Sequence, residues 1–176
     1  MARKISVKGT PGSGKSTFAA ELARRLRLVH VELDALHWEP DWTHPSDEEF
    51  RRRVHEAMAA AAEGWVIDGN YDSKLDELVL READTIVWLD LPFRLKLGRL
   101  WRRTIERIHN DLELWSGNRE SWREAFASRD SIFVWLIRTH VRHRREWPRQ
   151  FGGDARLVRL RSIGEARRWL EAQTER

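Results

Sequence analysis

Five short apolar runs alternate with helix-length amphipathic stretches, and this alternation predicts an α/β fold with a five-stranded parallel sheet between two layers of helices. Two further observations support it. A glycine-rich loop lies directly between the first apolar run and the first amphipathic stretch. The chain of 176 residues is 41% hydrophobic, which is enough for one compact domain spanning 1–176 at roughly 150 residues per domain. No apolar run approaches the ~20 residues that span a bilayer. Met1-Ala2-Arg3-Lys4 leads straight into Ile5-Ser6-Val7 and does not read as a secretory signal. With no cysteine there is no disulfide framework, thiolate metal site or cysteine nucleophile. A cytoplasmic protein is expected.

The elements follow in order. Residues 3–8 read as a strand with Ile5 and Val7 inward, and 15–27 as a helix with Phe18, Leu22 and Leu26 at helical spacing. Leu28 to Leu33 is a second strand, ending at Asp34. Ser46, followed by Glu49 three residues on, is a capping-box start for a helix through Phe50, Val54 and Met58, stopped by Gly64. Trp65 to Asp68 and Asp84 to Leu89 are the third and fourth strands. Phe93, Leu97, Leu100, Trp101, Ile105 and Ile108 mark a long helix to about His109. A second long helix spans Ile132 to Trp147, where Pro148 is expected to end it. After a Gly152-Gly153 turn come a fifth strand, Ala155 to Leu160, and a closing helix, Ile163 to Gln173.

The net charge of +4 is unevenly spread. Residues 1–93 carry 12 basic and 17 acidic side chains, whereas residues 94–150 carry 14 basic and 7 acidic. Of the 32 basic residues, 27 are arginine, whose planar fork of donors suits phosphate oxygens. The basic segment, approximately 94–150, is read as an arginine-rich helical lid facing an anionic ligand.

Gly9-Thr10-Pro11-Gly12-Ser13-Gly14-Lys15-Ser16 matches G-x-x-x-x-G-K-[ST] in full, after a strand and opening a helix. Glycines let backbone N–H groups turn towards phosphate oxygens, and the helix N-terminus adds partial positive charge. Gly9, Pro11, Gly12, Ser13 and Gly14 therefore form the cradle. Lys15 is expected between the β- and γ-phosphates, Ser16 on Mg²⁺, and Thr17 on the α-phosphate. ATP or GTP with Mg²⁺ is the expected ligand.

On these residues the chain resembles a P-loop kinase of the adenylate-kinase-like group. More narrowly it resembles the bacterial DNA topology modulation proteins and adenylate-kinase-related ATPases. The resemblance covers nearly the whole chain. It rests on the loop, on Glu32-Leu33-Asp34-Ala35-Leu36-His37-Trp38, on Trp65-Val66-Ile67-Asp68-Gly69-Asn70-Tyr71, on Ala83 to Pro92, and on Leu114 to Ser121. It implies a P-loop NTPase fold with a lid over the nucleotide, and it implies that Asp68 orients Mg²⁺ through its water shell. Asp68 also reads as an aspartate capping a turn. Adenylate kinases continue with Phe-Pro-Arg, whose arginine holds the acceptor's phosphate; this chain has Asn70-Tyr71-Asp72.

Asp34 resembles the strand-end acid that orients an acceptor hydroxyl and takes its proton. A helix cap or a group supporting magnesium is the alternative. His37 is a candidate acceptor contact or a packing residue. Trp38, Trp42 and Tyr71 stack on the acceptor or fill the core. Arg99, Arg103 and Arg107 share a helix face beside Arg102 and, with Arg119, are candidates to balance phosphoryl charge; the alternative is a solvated face. Arg138, Arg142, Arg145 and Arg149, near His143, form a second stripe suited to a nucleic-acid or regulatory contact. Asp90 is read as structural, and Arg161-Ser162-Ile163 as the loop bordering adenine.

The reading is an ATP-dependent kinase for a nucleotide, nucleoside or other small hydroxyl compound. The alternative is a nucleic-acid-associated regulatory ATPase, although no helix-turn-helix, zinc finger or RNA-binding motif is visible. A nucleotide-gated module without chemistry would leave Asp34 and Asp68 without a purpose.

Overall fold

A computed structural model describes residues 3–127 and 131–173. The strands are β1 (Lys4–Lys8), β2 (Val29–Glu32), β3 (Trp65–Asp68), β4 (Thr85–Leu89) and β5 (Leu157–Leu160). The helices are α1 (Lys15–Leu26), α2 (Leu33–His37), α3 (Asp47–Ala60), α4 (Leu78–Glu82), α5 (Phe93–His109), α6 (Ile132–Gln150) and α7 (Ile163–Glu171). Short 3-10 turns lie at Pro40–Trp42 and Trp115–Gly117, and a π-helical turn at Arg123–Ala127. All strands run parallel in the order β2-β3-β1-β4-β5.

Alternation along the strands makes two cores. Ile67, Ile86 and Trp88 face Phe50, Val54, Leu75 and Trp147 on one side of the sheet. Ile5, Val7, Val66, Val87 and Leu89 face Phe18, Leu22 and partly buried Trp169 on the other. A sheet covered on both faces therefore needs near-continuous apolar strands, which is the pattern of Trp65-Val66-Ile67. Ser46 caps α3 by accepting from Glu49 N–H, the capping-box half read from the sequence.

Two boundaries and one element stand out against expectation, beyond shifts of one or two residues at other ends. The second strand stops at Glu32, and Asp34 lies in the first turn of α2. Leu33 is buried there, and Trp38 N–H closes the turn on the Asp34 carbonyl at 3.0 Å. α4 had no periodic signal to announce it, being five residues long. Pro148 does not end α6, which continues to Gln150. A proline forfeits one hydrogen bond to the carbonyl four residues back. Here that loss falls in the last turns, where buried Trp147 stacks on His143 at 3.9 Å and meets Trp88 and Phe151 edge-on. Phe151 N–H still reaches the Trp147 carbonyl at 2.8 Å. Tertiary packing outweighs one lost bond.

Two core histidines give the fold a pH dependence. Burial, reinforced by Lys74 and His44, pushes His37 down to about 4; burial, reinforced by Arg142 and Lys96, pushes His143 down to about 3. A histidine lowered on folding supports the native state above its unfolded value of about 6.5 and withdraws that support as the pH falls towards the folded value. The urea unfolding free energy should therefore drop between about pH 7.5 and pH 5 by on the order of 2 kcal/mol per histidine. His143→Phe should remove one share of that drop, and an unchanged slope in this variant would assign the acid sensitivity to other groups.

Candidate active site

The phosphate loop is shaped by what touches its glycines. Gly12 and Gly14 have φ of 74° and 82°, the left-handed region that side chains resist. A Cβ on Gly12 would lie 2.2 Å from the Lys96 carbonyl, so the loop rests directly on the α5 backbone. Ser13 N–H donates to the Thr10 carbonyl at 3.1 Å, and Phe18 N–H to the Gly14 carbonyl at 2.9 Å. The hydroxyls of Thr10 and Ser13 are buried, and neither has a partner among the described residues. Lys15 is half-buried with no protein partner among them either. Idle hydroxyls, an uncommitted ammonium and the open start of α1 are a donor set that fits a polyphosphate. Pro11 flanks the cradle, and Thr17 is exposed just beyond it.

Asp68 ends β3 with no exposure at all. Its Oδ1 accepts from the Ser16 hydroxyl at 2.9 Å and its Oδ2 lies 2.8 Å from His30 Nε2. Ser16 and Asp68 are hard oxygen donors beside the loop and suit Mg²⁺, which takes few protein ligands and keeps its waters. Among the described residues no group of three or more histidine, aspartate or glutamate side chains could hold a metal by itself. Ser16 would therefore hold the ion together with the phosphates, and Asp68 would act through water.

Asp34 lies beyond β2, where Tyr71 O–H donates to its Oδ1 at 2.6 Å. Burial, then the Asp34 charge, raises the Tyr71 phenol far above its usual range, so it stays a donor. The Tyr71 ring packs on His37 and Phe50 at 4.6 and 5.2 Å. His37 is buried between Trp38, His44, Phe50 and Tyr71, a place that agrees with the packing alternative. Trp38 meets His37 and Trp42 edge-on. Facing them, the Trp115 indole donates to Glu32 at 3.2 Å, Ser116 to the Trp38 carbonyl at 2.7 Å, and Asn118 to the Glu39 carbonyl at 2.8 Å.

The α5 arginines part ways. Arg99 Nη1 donates to the Ser13 carbonyl at 3.4 Å, on the phosphate loop itself. Arg103, one turn on, sits near Asp34 and Glu32 with a buried Nε that has no partner among the described residues. Burial, then Arg107, lowers its pKa. Arg107 pairs with Glu120 at 2.8 Å, and Arg102 is exposed. Arg119, expected on phosphate, has its guanidinium engaged by Asp111 with Glu113 at 3.9 Å, so its charge is already answered. Arg138, Arg142, Arg145 and Arg149 lie exposed along α6. Asp90 is buried and bonded by Arg159 at 2.6 Å, in keeping with a structural role.

Sequence reasoning missed His30, Asn70, Lys8 and Lys96. Asn70 Nδ2 donates to the Gly9 carbonyl at 2.8 Å, and buried Lys8 donates to the Gly69 carbonyl at 2.9 Å and to Asp72 at 2.5 Å. Lys96, pushed down to about 8 by burial, has its Nζ 2.8 Å from His140 Nδ1. The available signal was position: Lys8 and Asn70 each directly adjoin a recognised motif.

A glycine-rich loop between β1 and α1, with an aspartate ending the neighbouring strand of a parallel sheet, defines a P-loop nucleotide-binding domain with a kinase-type fold. Residues 5–146 match the family described as AAA domain, and the chain belongs to that family. It is 28% identical over 133 residues to the uncharacterized protein YqaC of Bacillus subtilis (strain 168), covering 76% of this chain and 74% of that one. Among solved structures it is similar to a sugar kinase from Janibacter sp. HTCC2649 (21% identity, 98% and 92% of the two chains, TM-score 0.55). A gluconokinase from Sinorhizobium meliloti 1021 is similar at 20% identity, 96% and 91% coverage and TM-score 0.55. Deoxyadenosine kinase from M. mycoides follows at 14%, 96% of each chain and 0.50. Among the described residues no helix is long and apolar enough to cross a membrane.

The loop geometry has a direct test. Gly12→Ala should lower the Tm by several degrees and weaken binding of a fluorescent ATP analogue at least about tenfold, because both the φ and the Lys96 carbonyl forbid the methyl group. Gly98→Ala is the control: a Cβ there meets nothing within 4 Å, and both readings should hold.

Proposed function

We propose that this protein is an ATP-dependent phosphotransferase that carries the γ-phosphoryl group of Mg-ATP to a hydroxyl of a small molecule. The observation that carries the reading is Asp34 within electrostatic reach of Arg103, whose buried Nε has no partner among the described residues, together with the Ser16–Asp68 contact beside the phosphate loop. A carboxylate alone beside a phosphate loop would repel the nucleotide. With an arginine within electrostatic reach, it can hold a hydroxyl while the arginine balances charge on the group in flight. The fold neighbours support the same class, since a sugar kinase, a gluconokinase and a deoxyadenosine kinase all act on molecules that offer hydroxyls.

In this reading Lys15 and the loop bind the triphosphate, and Arg99 braces the loop at Ser13. The acceptor oxygen forms its bond to the γ-phosphorus as the bond to the β,γ-bridging oxygen breaks. ADP leaves with that electron pair, and Asp34 takes the hydroxyl proton. Trp38, Trp42 and Trp115 wall the acceptor side and limit water. Ser16, with Asp68 acting through water, would hold Mg²⁺, which would supply neutralisation of charge on the phosphate oxygens.

The test is ADP formation from Mg-ATP with pooled acceptors, nucleoside monophosphates in one pool and nucleosides or sugars in another. One pool should raise turnover sharply. Lys15→Ala should abolish it, and Asp34→Asn should lower kcat by about 10²- to 10⁴-fold. Slow turnover that ignores both pools but rises with added DNA would overturn the kinase reading in favour of a regulatory ATPase.

A further inference from the structure

We infer that the Asn70-Tyr71-Asp72 turn is a positioning element that fixes the acceptor carboxylate of Asp34 relative to the phosphate loop, with Tyr71 as the residue that holds Asp34. This deepens the phosphotransferase reading and rests on it. Three successive side chains leave the end of β3 and each ties a different part of the site. The Asn70 carboxamide closes on the Gly9 peptide, donating to its carbonyl at 2.8 Å and accepting from its N–H at 3.4 Å. Tyr71 donates to Asp34 at 2.6 Å. Asp72 accepts from Lys8 at 2.5 Å, and Lys8 in turn donates to the Gly69 carbonyl. The turn is therefore anchored on both sides of Tyr71, to the phosphate loop at Gly9 and to the end of β1 at Lys8, and the phenol is the arm that reaches α2.

This arrangement selects among Asp34's oxygens. Oδ1 is taken by the phenol, and Oδ2 has no hydrogen-bond partner among the described residues. One oxygen is left to receive an acceptor proton. The groups around this pair are Glu32 from β2, Asp68 from β3, His37 from α2 and Arg103 from α5. None of them hydrogen-bonds the Asp34 carboxylate, so the phenol is its one direct brace among the described residues. The Tyr71 ring is itself held against His37 and Phe50, which leaves the hydroxyl little freedom.

Tyr71 is the only tyrosine in the chain, so the phenolate absorbance band reports this one group and needs no acceptor. If the bond holds in solution, Asp34→Asn removes a negative neighbour and leaves the phenol a neutral amide oxygen, a weaker acceptor than the carboxylate. The phenolate midpoint should then fall by about one pH unit or more relative to the unmodified protein. Tyr71→Phe keeps the ring and removes the hydroxyl. It should lower kcat for the responding acceptor pool about tenfold while the KM for Mg-ATP and the Tm stay in place; a merely structural role would move the Tm instead. An unmoved phenolate midpoint in Asp34→Asn overturns the inference, as does unchanged kcat in Tyr71→Phe. The two readings separate cleanly. Asp34→Asn inactive with Tyr71→Phe fully active sinks only the positioning role, whereas Asp34→Asn fully active sinks Asp34 as the proton acceptor.

Discussion

A carboxylate with no exposure to water, Asp68 at the end of β3, is the constraint around which the rest of this structure is arranged. A buried charge without partners costs several kcal/mol, so the chain must bring donors to it. Ser16 comes from the first turn of α1 and His30 from β2. Those two contacts fix the helix that carries the phosphate loop against the strand that leads to Asp34. The register agrees: Val7 and Glu32 both stand opposite Asp68, on β1 and β2 respectively. The phosphate loop, the Ser16 and Asp68 oxygens and the Asp34 carboxylate are thus set within one short row at the sheet's C-terminal edge. That edge is where parallel α/β sheets bind ligands, because the connections there diverge and leave a crevice.

Much of this was legible in the sequence for a physical reason. Strands buried on both faces must be apolar throughout, so Trp65-Val66-Ile67 and Ile86-Val87-Trp88-Leu89 stand out against amphipathic helices without any tertiary information. The phosphate loop was legible because its chemistry admits few residues. What stayed hidden depends on contacts between distant segments. His30 looks like any strand residue until Asp68 is placed beside it, and Asn70 is one more turn residue until it meets Gly9. Pro148 reads as a stop because local backbone rules say so; stacked Trp147 and His143 overrule them. Arg119 reads as a phosphate ligand by type and position, yet Asp111 and Glu113 lie within its own loop.

The regular spacing of Arg99, Arg103 and Arg107 shows how one helix can serve three purposes. Four residues advance an α-helix by about 6 Å, close to one full turn. Along α5 that places successive guanidiniums in different surroundings on the same face. Arg99 braces the loop through Ser13. Arg107 is neutralised by Glu120 at the far end. Arg103, between them, has a buried Nε without a partner among the described residues, and the charges of Glu120, Asp34 and Glu32 act on it. Leaving a partly buried guanidinium unpaired is costly unless a ligand completes it. A ligand of the right charge therefore gains more at Arg103 than at either neighbour.

The same logic explains the turn after β3. Position 72 is where the Phe-Pro-Arg run of adenylate kinases would place its phosphate-holding arginine, and this chain has an aspartate there, spent on Lys8. Asn70 is spent on the Gly9 peptide, inside the protein. Tyr71, between them, is spent on Asp34. All three side chains that could have reached outwards are turned inwards. In the proposed reaction, recognition of the acceptor would then fall to Asp34 Oδ2, Arg103, Trp38 just after α2, Trp42 and the facing Trp115. Such a set grips hydroxyls and flat or apolar faces far better than it grips a second phosphate.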